Sequence, residues 1–402
     1  MIPKSPSRIN VLAPYYGRIV YSGVLSRLLY AYEVRRIGRI HVNGALSFVH
    51  PFPHCTRLEH SIGASCLVRR LCLRLGLSED ERRLVEIAAL LHDVGHPVLS
   101  FTTEKYLRIF HGMDHKDLTS KIINGEIDLR PNNNYKSVFE VLKDEGYDTK
   151  IISGIAVKRG RSDVPLYLQD MLNQPFDLDV LDTIMRWSSC GFTRVKINAF
   201  EMLRAYTIHD GRLVFDGRYL NDIRRIIIAR RSLFFERSIW EIGEFESSHY
   251  MINRAIDIAI RNEVLDENFV FMDDYNFIRK LINYEATNKI INRLIMGYAY
   301  PLIFMKQIDE KIYWKIGKYI GEIESEIARK TNSKNIDVII GIKHYHLTRE
   351  LYPILINGTI KPIYEVVAEA DEIDYGYFLF VYHVNSNRNY SKIAWKIIDN
   401  YI

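Results

Sequence analysis

Cysteine is scarce in this chain. Cys55, Cys66, Cys72 and Cys190 are the only four in 402 residues, and no two form a C-x-x-C pair. That excludes a zinc ribbon and a thioredoxin-type motif, and scattered thiols suit a reducing compartment. Glutamine is scarcer still (Gln169, Gln174, Gln307). No apolar run approaches the ~18–20 residues that span a bilayer. The opening MIPKSPSRIN has no apolar signal segment. The expectation is a soluble, cytoplasmic protein with no membrane partner. There is no Walker A sequence, no glycine fingerprint after a strand, no repeat and no low-complexity tract. The net charge of +5 is too small for this length to predict a specific nucleic-acid partner, but it is compatible with an anionic ligand in a pocket.

What is present is an ordinary globular composition, 48% hydrophobic and 26% charged. The length exceeds one ordinary core and predicts a large domain with a smaller lobe, or two domains. SGVLSRLLYAYEVRRIG has helical spacing, as does TRLEHSIGASCLVRRLCLRLG up to Gly76. Ser78 and Glu81 form a capping box ahead of ERRLVEIAALLHD. DLDVLDTIMRWSS and much of 217–300 are also helical in pattern. ALSFVH, GRLVFDG and GIKHYH are short β-like runs. After about residue 300 the chain becomes β-rich, with EKIYWKIGKYIGEIESEIARK as a helix among strands. The predicted fold is mainly α: a multi-helix body over 1–300 and a smaller C-terminal α/β lobe over 301–402.

The segment LLHDVGHPVLSF (90–101) places His92 and Asp93 side by side at the end of a greasy helix. An imidazole nitrogen and a carboxylate oxygen at neighbouring positions can converge on one cation. His60 upstream in TRLEHS and Asp179 downstream in DLDVLD complete a His/His/Asp/Asp set, which leaves coordination positions open, as a catalytic site needs. Mixed imidazole and carboxylate donors suit Mn, Fe, Zn, Ni or Co ions, with Mg less favoured. Asp177 and Asp182 are read as structural, as carboxylates near a helix start.

The segments Arg57-Leu-Glu-His60-Ser-Ile-Gly, His92-Asp93-Val-Gly-His96-Pro and Asp177-Leu-Asp179-Val-Leu-Asp182 resemble, in order, the three signature segments of the HD-domain phosphohydrolases. Order and spacing most resemble the dNTP triphosphohydrolase branch, more weakly from about residue 22 to 260. The resemblance implies a multi-helix HD-domain core, with His60, His92, Asp93 and Asp179 as ligands of a divalent metal ion. It implies that Arg57 contacts a substrate phosphate, and that His96 and His115, with Glu104 nearby, line the phosphate site as proton-transfer or charge-stabilising groups. The implied reaction releases a deoxynucleoside and tripolyphosphate from a dNTP. The implied partners are a nucleotide substrate, a nucleotide activator and further copies of the chain in a homo-oligomer.

The departures from that branch are specific. Phe101 stands where the family has a second histidine, and cannot transfer a proton. Thr183, Trp187, Ser238 and Trp240 replace residues that read sugar and base in the family, and Arg36 corresponds to a family glutamine. Two alternatives therefore stand beside the dNTPase: an HD-type phosphatase or phosphodiesterase acting on another nucleotide, and a catalytically impaired nucleotide-binding regulator.

Overall fold

The computed structural model describes residues 6–50, 54–158, 164–191, 193, 195–235 and 239–402. It is a mainly helical body followed by a smaller lobe built on a β-sheet, the predicted class. The chain enters as a hairpin that helical patterning does not anticipate: β1 (Arg8–Ala13) pairs antiparallel with β2 (Gly17–Ser22). The run SGVLSRLLYAYEVRRIG is not one helix. It forms Val24–Leu28 and Tyr32–Ile37, because Ala31 turns extended and the Tyr32 amide donates to the Lys136 carbonyl. ALSFVH is not a strand. Gly44 enters with a φ of +53°, Gly44–Phe48 winds into a 3₁₀ turn, and the Ala45 amide donates to Thr102 Oγ1.

The centre of the body is a helical hairpin. Arg57–Leu75 starts at a Thr56/Glu59 capping box and stops at left-handed Gly76. Glu79–Leu91 starts at the expected Ser78/Glu81 box. Each box satisfies amides that a helix N-terminus leaves orphaned. The second helix ends at His92, and the Val94 and His96 amides close the following turn onto the Leu91 and Asp93 carbonyls. Leu178–Ser189 packs on the first helix, capped by Asp177, whose carboxylate accepts from the Val180 amide.

GRLVFDG forms β4 (Arg212–Asp216), antiparallel to β3 (Tyr206–His209). The lobe sheet has the order β5-β9-β6, with β5 (Leu302–Ile308) and β6 (Val338–Leu347) antiparallel to β9 (Ile373–His383). The Glu310–Lys330 and Arg388–Ile398 helices cover one face through a separate apolar cluster that includes Ile316, Ile323, Ile327 and Ile398. The body's Ile239–Arg261 helix lies against the sheet, where Tyr382 Oη donates to the Gly243 carbonyl. β7 (Pro353–Ile356) pairs parallel with β4 and antiparallel with β8 (Thr359–Pro362), so one sheet joins residues 206–216 to residues 353–362. The arginine run on the Leu220–Phe235 helix serves the same junction: Arg224 pairs with Glu369, Arg230 with Glu350, and Arg231 donates to the Asp371 carbonyl.

Candidate metal centre and its surroundings

Three buried helix ends deliver the predicted residues to one place. The Arg57–Leu75 helix presents Arg57 and His60 one turn apart. The end of the Glu79–Leu91 helix presents His92 and Asp93. The first turn of Leu178–Ser189 presents Asp179. Ligand atoms of His60, His92 and Asp93 all lie within 4.8 Å of one another, and all three residues are buried. Asp179, 34% exposed at its side chain, sits at the open side. Its Oδ1 is 2.7 Å from His60 Nε2 and 3.8 Å from His92 Nε2.

The donor set fits a cation on an observation independent of motif. His92 Nδ1 lies 2.8 Å from the Ala89 carbonyl, which only accepts, so Nδ1 carries the proton. In the neutral ring Nε2 is then the lone-pair atom. It is buried and, among the described residues, makes no hydrogen bond, with Asp93 Oδ1 3.4 Å away. A buried polar atom without a partner is costly and rare, and here it points at two carboxylates and a second imidazole. His60 differs, because its Nε2 is already 2.7 Å from Asp179 Oδ1. Its Nδ1 lies 2.6 Å from Asp182 Oδ2, which leaves Nε2 facing Asp93 and Asp179. His60, His92 and Asp93 thus form a site for a divalent metal ion.

Asp182 is a positioning residue that the sequence reading assigned to helix-end electrostatics. It is fully buried, and accepts from His60, from Arg186 Nε at 2.7 Å and from Tyr16 Oη. Gly63, one turn after His60, makes room for it, since a Cβ there would overlap Asp182 Oδ1. With no cation bound, burial disfavours a charged His60, but hydrogen bonds to Asp179 and Asp182 outweigh this and push its pKa up to about 10, so a metal ion would bind by displacing the Nε2 proton. Burial also opposes charge on Asp93, yet His92 and Arg57 hold it well below the usual carboxylate range.

Beside the metal ligands lies a second polar group. Arg57 Nη1 donates to Asp93 Oδ2 at 2.8 Å, while Nε and Nη2 converge on the Ser100 hydroxyl. His96 and His115 stack with ring centroids 4.2 Å apart, and His115 Nδ1 lies 2.8 Å from Glu104 Oε1. Gly95 permits this approach. A Cβ there would overlap the Thr119 amide and the His115 carbonyl. Burial and the charge of Arg57 lower His96 to about pKa 3, so its ring is neutral. Burial works against a charged Glu104, but the hydrogen bond from His115 lowers it to about 2.

Among the remaining sequence candidates, three histidines lie apart from these groups. His111 and His115 do not share a helix face, because left-handed Gly112 ends the first helix between them, and His111 donates from Nε2 to the Glu267 carbonyl. His344 and His346 stack on the lobe surface and pair with Asp374 and Glu372. Thr183 and Trp187 line a narrow crevice beside His60 with Asn43, Cys55 and Arg186. Ser238 and the side chain of Trp240 lie outside the described residues. Arg36 is committed to the fold. Its buried guanidinium donates to the carbonyls of Val94 and His96 on one side and of Val270, Phe271 and Met272 on the other. Among the described residues, no helix is long and apolar enough to cross a membrane.

A sequence model of the HD domain matches residues 57–180, the span that holds all four predicted ligands. That segment is an HD domain. The HD-domain chain is 41% identical over 93 residues to the metal-dependent phosphohydrolase cns2 of Cordyceps militaris, a match covering 23% of this chain and 25% of that protein. It is 28% identical over 167 residues to the deoxynucleoside triphosphate triphosphohydrolase SAMHD1 homolog of Dictyostelium discoideum, covering 38% of this chain and 31% of that one. The chain thus spans a third or less of either relative. A crystal structure of a hypothetical protein from Aquifex aeolicus superposes with a TM-score of 0.73, covering 97% of this chain and 100% of the other at 18% identity. At that identity the likeness is one of fold.

Proposed function

We propose that this chain is a metal-dependent phosphohydrolase acting on a nucleotide, and most specifically a dNTP triphosphohydrolase that releases deoxynucleoside and tripolyphosphate. The observation that carries the reading is the orphaned Nε2 of His92 within a buried His60/His92/Asp93 set, flanked by Arg57 and the His96/His115/Glu104 group. A bound divalent cation supplies water of lowered pKa and positive charge at the phosphate. Asp179, at the exposed side, joins the ligand set where substrate enters. Arg57, held by Asp93 and Ser100, presents a fixed guanidinium to a phosphate oxygen. Glu104 accepts from His115 Nδ1–H and so leaves Nε2 as the atom that exchanges a proton with the leaving oxygen. Neutral His96 stacks on that ring and holds its plane.

A second reading is a phosphatase or phosphodiesterase on another nucleotide. It draws on the crevice beside His60, where Thr183 and Trp187 stand in place of the sugar-reading residues of the dNTPases. Turnover of a panel of dNTPs, NTPs, monophosphates and cyclic nucleotides with added Mn²⁺, Mg²⁺ or Co²⁺ separates the two, with Asp93→Ala as control. Tripolyphosphate from dNTPs, lost in the variant, supports the first reading. Orthophosphate or a monophosphate as product supports the second. Absence of turnover from metal-loaded protein refutes both.

A further inference from the structure

The ring of Phe101 is 60% exposed, although the groups around it are buried: Arg57, His96 and Ser100 are each under 5%. It lies against three of the phosphate-side groups at once. Its centroid lies 4.8 Å from the Arg57 guanidinium carbon, 5.1 Å from the His96 ring and 5.9 Å from the His115 ring, the last two edge to face. Phe101 is therefore the visible surface of that side of the site.

Its placement is held against local backbone preference. Leu99 and Ser100 are consecutive non-glycine residues in the left-handed region, at φ +52° and +53°. Such conformations persist where surrounding contacts over-determine them, and they concentrate at functional sites. Here the Leu99 amide donates to Asp274 Oδ1 at 2.7 Å, the Val98 amide donates to the Val270 carbonyl at 3.0 Å, and Thr103 Oγ1 donates to the Val98 carbonyl. The turn aims the Ser100 hydroxyl at Arg57 and sets the Phe101 ring over the same guanidinium. A phenyl ring neither transfers a proton nor binds a phosphate oxygen. Its exposed part offers an apolar, polarisable face beside groups that attract phosphate.

We propose that Phe101 contacts the substrate and determines its class. Its open face takes the planar organic group of a phosphate ester while Arg57, His96 and His115 take the phosphates, so that a nucleotide is preferred to a bare polyphosphate. This rests on the phosphohydrolase reading above. A ring that only buttressed the histidines would affect every phosphate ligand alike. A ring that stacks on a base affects only ligands that carry one.

The test is equilibrium titration of the full chain in EDTA with dATP and with inorganic tripolyphosphate, for wild type, Phe101→Ala and Phe101→Trp. Base–aromatic stacking of roughly 1–3 kcal/mol per base predicts that Phe101→Ala weakens dATP about tenfold. Tripolyphosphate should change less than about twofold, and Phe101→Trp should retain dATP within about threefold. Equal loss of both ligands in Phe101→Ala, no loss of either, or a wild type that binds tripolyphosphate as tightly as dATP overturns the proposal. Parallel turnover assays with Mn²⁺ keep the two readings apart. Nucleotide binding that depends on Phe101 without any turnover removes the hydrolytic reading and keeps this one. Nucleotide turnover whose KM ignores Phe101→Ala does the reverse.

Discussion

Replacing Asp182 with asparagine tests whether the metal centre depends on a carboxylate that never reaches the metal. Asp182 Oδ2 receives His60 Nδ1 at 2.6 Å and Arg186 Nε at 2.7 Å, while Tyr16 Oη binds Oδ1. Burial would raise its pKa, but Arg186 and His60 hold it below the usual range, so the group acts as an anion. An anion on Nδ1–H fixes the tautomer of His60 and makes Nε2 a stronger donor. Asparagine keeps the shape, removes the charge, and turns an NH₂ toward groups that are themselves donors. Loss of such a partner costs ~10–100-fold in metal affinity, or about 1.4–2.8 kcal/mol. The assay is competition of Mn²⁺ or Zn²⁺ against a calibrated chelator, with far-UV circular dichroism to establish folding. Tyr16→Phe is the companion. It removes one donor and leaves the carboxylate on His60, so its affinity should stay within about threefold of wild type. A folded Asp182→Asn protein that binds metal within about twofold of wild type would refute the reasoning, because His60 would then be held by packing alone.

The other predictions concern the neighbouring groups. Arg57→Lys keeps the charge but loses the fork that spans Asp93 and Ser100, so kcat/KM should fall at least ~100-fold, about 2.7 kcal/mol, at unchanged metal content by elemental analysis. Gly95→Ala forces a methyl into the Thr119 amide and the His115 carbonyl; urea unfolding should show a loss of roughly 1–3 kcal/mol, with a fall in turnover as His115 is pushed off His96. Glu104 is lowered to about pKa 2 from the ordinary 4.5, so its stabilising contribution is present in full above pH 4.5 and is lost as pH falls toward 2. The stability gap between wild type and Glu104→Gln should therefore be widest at neutral pH, at most about 3 kcal/mol, and should close across that acid window.

The parts of this protein legible in its sequence are those encoded over a few residues. The Ser78/Glu81 box, the Asp177 cap, the His92-Asp93 doublet at a helix end and the β-rich C-terminal lobe are all local patterns, and each is present. Helical period also brings Arg57 and His60 to one face. Failures occur where a partner distant in sequence overrides local preference. ALSFVH has strand-like composition, but among the described residues no strand pairs with it, and Thr102 takes its first amide instead. The long amphipathic run from residue 22 breaks because the Lys136 carbonyl captures the Tyr32 amide.

The site follows the same division, and this explains which of its residues escaped notice. A metal ligand needs a characteristic side chain, and histidine and aspartate stand out. A positioning residue needs only a partner. Asp182 meets Tyr16 across 166 residues and His60 across 122, and nothing near Asp182 in the chain distinguishes it from a carboxylate serving the helix end. Arg36 is the sharper case. In the resembling family a glutamine stands at this position, and the arginine here is a departure from it. Its buried charge is satisfied by five carbonyls, two in the HD turn and three at residues 270–272. The same 270s segment anchors Val98 and, through Asp274, Leu99. One buried cation and one carboxylate thus tie the metal-bearing turn and the Phe101 turn to a common wall, so substitution at Arg36 should disturb metal site and substrate face together.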